Sequence, residues 1–316
     1  MKILIDIDEL ELKGVVTPQL ASTLRTHAIR NTGSTAINML LAFGAIAIAT
    51  GLLSLFPSSE FAAFFGAVFI LLGWFVRRQY KEQWGALASI WMITGALVLS
   101  GSLGAITNEP MLGPIIAAVI LTFVSVIAES NLLISLVPLS LLAAIGGSTG
   151  YWHACYAISI QEPTITIVLF TALAYGAFQI SKSQTGIYQA LSIVFARMSV
   201  ILVNFGFWIG SLWGDTPGKI WSDPIAIRYY SDVNQQIPDM VFIVGWAAAL
   251  IMAGAWGAKQ GRRFMVNTVA VFGAIHFYTQ WFEYLGLHAE SVIVAGVATV
   301  ALGLGLLRYN REALAK

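Results

Sequence analysis

NTVAVFGAIHFYTQWFEYLG, residues 267–286, is a helix-length and mostly apolar run that nevertheless carries His276, Thr279, Gln280 and Glu283. At about 100° per residue these four side chains fall on one helical face. Polar and ionisable groups inside a membrane span are costly and turn towards protein or water. The stretch therefore predicts a membrane helix with a polar interior face.

The rest of the chain supports that class. Its 316 residues are 58% hydrophobic and 10% charged, with a formal net charge of +1. Such a composition excludes an ordinary soluble domain. A spanning helix needs roughly 20 mostly apolar residues, which leaves room for about ten spans. The expected fold is an all-α polytopic transmembrane helix bundle with both termini inside. Near-zero charge and no basic stripe exclude a nucleic-acid partner, leaving the lipid bilayer as the constant one. Cys155 is the single cysteine, so no internal disulfide or thiolate cluster can form. Residues 1–34 lack the short basic region and apolar core of a cleavable signal, and the first span is expected to direct insertion.

In chain order, residues 1–34 read as a cytoplasmic helical hairpin leader. Gly14 offers a stop, and Thr17-Pro18 an N-cap and first-turn proline for a helix reaching about Arg30. The alternation of Ile3, Ile5 and Ile7 allows a short strand, but a helix or frayed start is favoured. Residues 35–316 form the bundle, with spans near 35–56, 60–76, 84–106, 112–128, 131–149, 163–179, 187–213, 238–258, 262–284 and 289–307. Arg77, Arg78, Lys81, Lys182, Lys259, Arg262, Arg263 and Arg308 all fall on the side of the N-terminus, against Lys219 and Arg228 opposite. That asymmetry places both termini inside. Prolines gather at the outer ends, and only Pro138 lies within a span. Most Trp and Tyr residues sit at span ends, as interfacial anchors do.

The outer segment 214–237 contains Asp215, Trp221, Arg228 and Tyr229 and reads as an ordered cap or, by preference, a connector. Small-residue pairs such as Ala63/Ala67, Gly101/Gly104, Gly254/Ala258 and Gly303/Gly305 are expected at helix contacts. No internal repeat stands out.

The span at 187–213 carries the second polar face, with Arg197 and Asn204 on the side of Trp208 and Ser211. Counted from the inner ends, Arg197 lies ~15 Å deep and His276 ~18 Å. Spans 7 and 9 are therefore expected to pack with Arg197 facing His276 and Gln280. Glu283 stands higher, at the outer mouth. The candidate binding residues are Arg197, Asn204, His276, Gln280 and Glu283. A polar pocket containing a histidine that titrates near neutral pH, and a purely structural hydrogen-bond network, stand level as readings of this cluster. Glu129 is expected at an interface, and His153 and His288 in solvent. No HExxH, GxSxG, P-loop or GxGxxG motif occurs in the required context, so neither catalytic residues nor a cofactor is assigned. His276 and Glu283 alone make a poor metal site.

The opening ELELKGVVTPQLASTL, the closing FEYLG and the glycine-rich last span ending in RYNREAL resemble the two ends of a broad family of bacterial polytopic membrane proteins with a domain of unknown function. The resemblance implies a bacterial inner-membrane location and no activity. Many members carry an arginine before the aromatic-acidic pair. This chain has Gln280-Trp281 there, so no residue role is transferred.

The leading functional expectation is a transporter-like or channel-like protein for a small polar solute or ion, with its polar site between spans 7 and 9. The alternative is a non-transporting scaffold or sensor that binds protein partners through its N-terminal hairpin and outer loop.

Overall fold

The computed structural model describes residues 7–107, 109–152, 155–218, 237–286 and 288–314. The expectations for Ile3 and Ile5, for His153 and for most of the 214–237 segment lie outside the described residues. The chain divides into two compact units, Met1–Ile106 and Thr107–Lys316.

In the first unit, α1 (Ile7–Leu12) leads through Gly14, at φ +67°, into α2 (Pro18–Leu55). Thr17 caps α2 by accepting from the Leu20 amide, and Pro18 opens it, as the sequence predicts. The helix expected to end near Arg30 does not stop there, and α2 continues without a break to Leu55. No proline lies between Pro18 and Pro57, and a single glycine costs a helix only ~1 kcal/mol. α3 (Ser59–Thr107) contains a break at Tyr80, where φ −133° and ψ 39° leave the helical region. Its halves, Ser59–Tyr80 and Trp84–Thr107, fold back on one another through glycines. A Cβ on Gly66 would stand 2.7 Å from the Leu99 amide nitrogen, and one on Gly95 would stand 2.6 Å from the Gly66 carbonyl. Gly73 meets Ala88 and Met92 in the same way. The expected contact at Gly101 is replaced by open space, because the seam runs along the face of Gly95.

In the second unit, α4 (Leu112–Ala128) and α5 (Asn131–Ala144) form a tight helical pair turned by Glu129, at φ 51°, with Ser130 capping α5. The span expected over 131–149 is shorter than that. α5 ends at Ala144, and an antiparallel pair follows, β1 (Gly147–Trp152) and β2 (Cys155–Ile160), with Gly147 opposite Ile160. Five further helices follow among the described residues: α6 (Pro163–Ser183), α7 (Gly186–Trp213), α8 (Asp239–Lys259), α9 (Arg263–Leu285) and α10 (Ala289–Leu314). α7 is the hub and packs against α5, α6, α8 and α9. Leu142, Ile160, Phe170 and Leu202 fill one side of it, and Trp246, Leu250 and Phe272 the other. Gly254 lies against Val269 and joins α8 to α9, as its small size predicts.

Among the described residues, five helices are long and apolar enough to cross a membrane: Ser59–Tyr80, Trp84–Thr107, Pro163–Ser183, Gly186–Trp213 and Asp239–Lys259. Side chains such as Leu40, Phe123 and Ile251 stand at least two-thirds exposed on outward faces. Apolar surface of that extent is suited to lipid. The molecule is a largely helical membrane protein.

Candidate functional site

The polar groups that meet do so where α7, α8 and α9 pack together. Asn204 on α7 is buried and fixed at both ends of its amide. Its Nδ2 donates to the Val200 carbonyl at 2.8 Å, and its Oδ1 accepts from Trp246 Nε1 on α8 at 3.0 Å. Trp246 is fully buried, and its ring meets His276 on α9 edge-on, with centroids 4.8 Å apart and planes at 70°. One turn away, Trp208 Nε1 donates to Thr279 Oγ1 at 3.1 Å. Two indole donors thus join three helices.

Not every group in this seam is satisfied. His276 Nδ1, Gln280 Nε2 and Trp281 Nε1 are buried on α9 without a hydrogen-bond partner among the described residues. An unmet buried polar group costs about 1–3 kcal/mol. The seam therefore keeps hydrogen-bonding capacity that the packed helices do not use.

Of the residues expected from the sequence, Asn204 and His276 come together, though through Trp246 and not directly. Gln280 lies one turn beyond His276. Glu283 is exposed, two residues before the end of α9. Arg197 lies elsewhere. Its guanidinium sits 5.0 Å from the centroid of Phe264, the second residue of α9. His276 is twelve residues further along that helix, roughly 18 Å away. The expected facing of Arg197 with His276 and Gln280 gives way because the two depths were counted from different helix starts. α7 begins eleven residues before Arg197, whereas α9 begins almost level with it.

Arg197 instead belongs to a cavity at the end of the unit that carries the α6–α7 and α8–α9 turns, here termed the basic end. This cavity has a volume of about 670 Å³, and Lys182, Arg197, Arg262 and Arg263 line it among aromatic side chains. A smaller one of about 170 Å³ reaches Asn204, Trp246 and Thr268. Ala174, Val200 and Met265 line both. The two cavities thus share an apolar wall between Arg197 and Asn204, and Trp246, which lines the smaller one, packs its ring against His276.

Sequence reasoning missed Trp246. Its signal is position, since it stands mid-span, seven residues into α8, where an interfacial anchor has no role. It also missed a pair of buried carboxylates at the opposite end, Glu162 at 0% exposure and Asp215 at 2%. Asp215 Oδ2 accepts from the Thr164 amide at 2.8 Å, capping α6 from the end of α7. Glu162 Oε2 accepts from the Gly218 amide at 2.9 Å, and Asp215 exchanges backbone hydrogen bonds with Ile237. Each carboxylate grips the backbone beside the other, and Asp215 faces the positive end of the α6 dipole. This is a clasp that ties the α6 and α7 ends together.

No family model matches the chain, and searches of curated proteins and of solved structures likewise find no match.

Proposed function

We propose that the protein is a transporter-like component of a bacterial inner membrane, admitting a small solute from the basic end towards the Asn204–Trp246–His276 seam. The observation that carries this reading is a pair of cavities, one lined by Arg197 and the other by Asn204, that share Ala174, Val200 and Met265 as a wall, so that a route for solute would run from the first to the second. A route that ends at a fully buried ring has the form of an occluded pathway, open on one side. Of the unmet groups on α9, His276 packs against that ring, where a solute displaced past Trp246 would meet it. In this reading the bundle has ten spans. The lysines and arginines of the α6–α7 and α8–α9 turns are cytoplasmic, and so are both termini.

The test is reagent access to single cysteines at Val200 and Met265 in a Cys155→Ser background, applied to each membrane face in turn. Both positions should label from the basic side only. Protection of both from either side would remove the pathway and the transport reading with it.

A second reading rests on a different observation. The Trp246–Asn204 and Trp208–Thr279 bonds lock α7, α8 and α9 together, which is what a non-transporting scaffold would require of buried polar groups. In that case Val200 and Met265 resist labelling, and the N-terminal hairpin becomes the surface on which to seek protein partners.

A further inference from the structure

We propose that the cavity at the basic end binds an amphipathic anion, a phosphate or carboxylate headgroup carrying an apolar body. This deepens the transport reading by naming the class of solute that reading would move. Cations reach the cavity from four successive elements: Lys182 from α6, Arg197 from α7, Arg262 from the α8–α9 turn and Arg263 from the start of α9. No Asp or Glu is among the described residues that line it.

Aromatic faces hold three of these cations in place. Lys182 Nζ lies 4.7 Å and Arg262 Cζ 5.4 Å from the centroid of the one Phe178 ring, while Arg197 rests on Phe264. A π face orients a cation without cancelling its charge. Two cations sharing one ring repel each other, and an anion placed between them and Arg197 relieves that repulsion. The backbone adds to the same field. The cavity is lined by residues 261–265, which lead into and open α9, and the N-cap residue Arg262 gives that turn no side-chain hydrogen bond. The N-terminal end of a helix that is 23 residues long presents amide donors and a positive dipole end.

The remaining wall fixes the rest of the ligand. Tyr175, Ile193, Trp256 and Met265 are apolar or aromatic, and about 670 Å³ falls within the range of small-molecule sites. A bare phosphate, a few times the ~30 Å³ of one water molecule, would leave most of it unfilled. The body of the ligand must therefore supply apolar surface.

The test uses the purified full-length protein and calorimetric titration with hexyl phosphate and with inorganic phosphate. Hexyl phosphate should bind saturably, weaken with salt, and bind more tightly than inorganic phosphate. The Arg197→Gln/Arg262→Gln variant should weaken it roughly tenfold or more, while Lys259→Gln, outside the lining, leaves it unchanged. Repeating the titration in phosphatidylglycerol and in phosphatidylcholine nanodiscs distinguishes the source of the headgroup. Competition by phosphatidylglycerol assigns the site to an anionic lipid, and equal binding in both assigns it to a soluble acid. No saturable binding, equal affinity for inorganic phosphate, or equal loss in Lys259→Gln would overturn the assignment. Hexyl phosphate binding without flux into proteoliposomes leaves the site intact and removes the transport reading, so the two can fail separately.

Discussion

Trp246 decides how the seam behaves, because its indole N–H donates to Asn204 Oδ1 while its ring packs edge-on against His276. Replacing Asn204 by Leu keeps the volume but strands the buried indole N–H, an expected loss of about 1–3 kcal/mol in thermal unfolding. Adding Trp246→Phe removes the stranded donor. The double variant should therefore lose clearly less than the two single losses added together, a coupling that a double-mutant cycle measures directly. Strict additivity would mean that the Asn204–Trp246 bond contributes nothing. A second expectation concerns closure. A cysteine in place of His276 should resist reagents from the basic side and become reactive when Trp246→Leu is added, since the Trp246 ring lines the Asn204 cavity and packs against His276. At this scale the sequence was informative about which side chains face inward, and Asn204 and His276 were both legible from helical spacing. It could not match levels between helices. Arg197 was placed at the depth of His276 only because periodicity measures distance along one helix and carries no register to the next.

Elements show the same division between what repeats locally and what depends on a neighbour. The cap of α2 by Thr17 and Pro18 follows from adjacent residues and was readable, as was the small contact at Gly254. The glycine seam within α3 was not, because Gly66, Gly73 and Gly95 acquire their meaning only when the chain folds back at Tyr80. Gly95→Val should disrupt that fold-back, since even its Cβ would stand 2.6 Å from a backbone oxygen. A cost of roughly 1–3 kcal/mol is expected for such overpacking, whereas Gly101→Val, with open space around it, should be close to neutral. Equal thermal stability of the two variants would refute the seam. β2 alternates Tyr156, Ile158 and Ile160 with small residues, a strand signal, but β1, with Gly147 and Gly150, has no such alternation, and the apolar run of α5 leads straight into it. The clasp is a tertiary cap, invisible to any local pattern. Asp215→Ala removes the acceptor that holds the Thr164 amide, and a loss of about 1–2 kcal/mol is expected, read as faster proteolysis beside Trp213.

For the molecule as a whole, composition was enough to place the chain in a membrane, because hydrocarbon tolerates only segments whose backbone groups are satisfied internally. Counting the spans is a different matter. α4 has 17 residues and α5 has 14, lengths of about 26 and 21 Å against a hydrocarbon core of ~30 Å. α9 is long enough, yet its polar stripe leaves it outside the set of helices that could cross on apolar character alone. Such a helix depends on its neighbours for insertion. Tyr278 ties it to α10 by donating to the Ala295 carbonyl, and Trp208 and Trp246 tie it to α7 and α8. A chain truncated after Lys259 should therefore place α8 in the membrane normally, whereas α9 fused alone behind a strong leading span should fail to integrate and slip across or remain outside. Supplying α7 and α8 ahead of it should restore integration, and Trp208→Phe with Trp246→Phe in that fusion should reduce the restoration. Glycosylation-site mapping of the integrated fraction reads each case. If α9 integrates fully by itself, its polar stripe carries no insertion cost, and the hydrogen bond to α7 and the ring contact with α8 serve a purpose other than holding it in the bilayer.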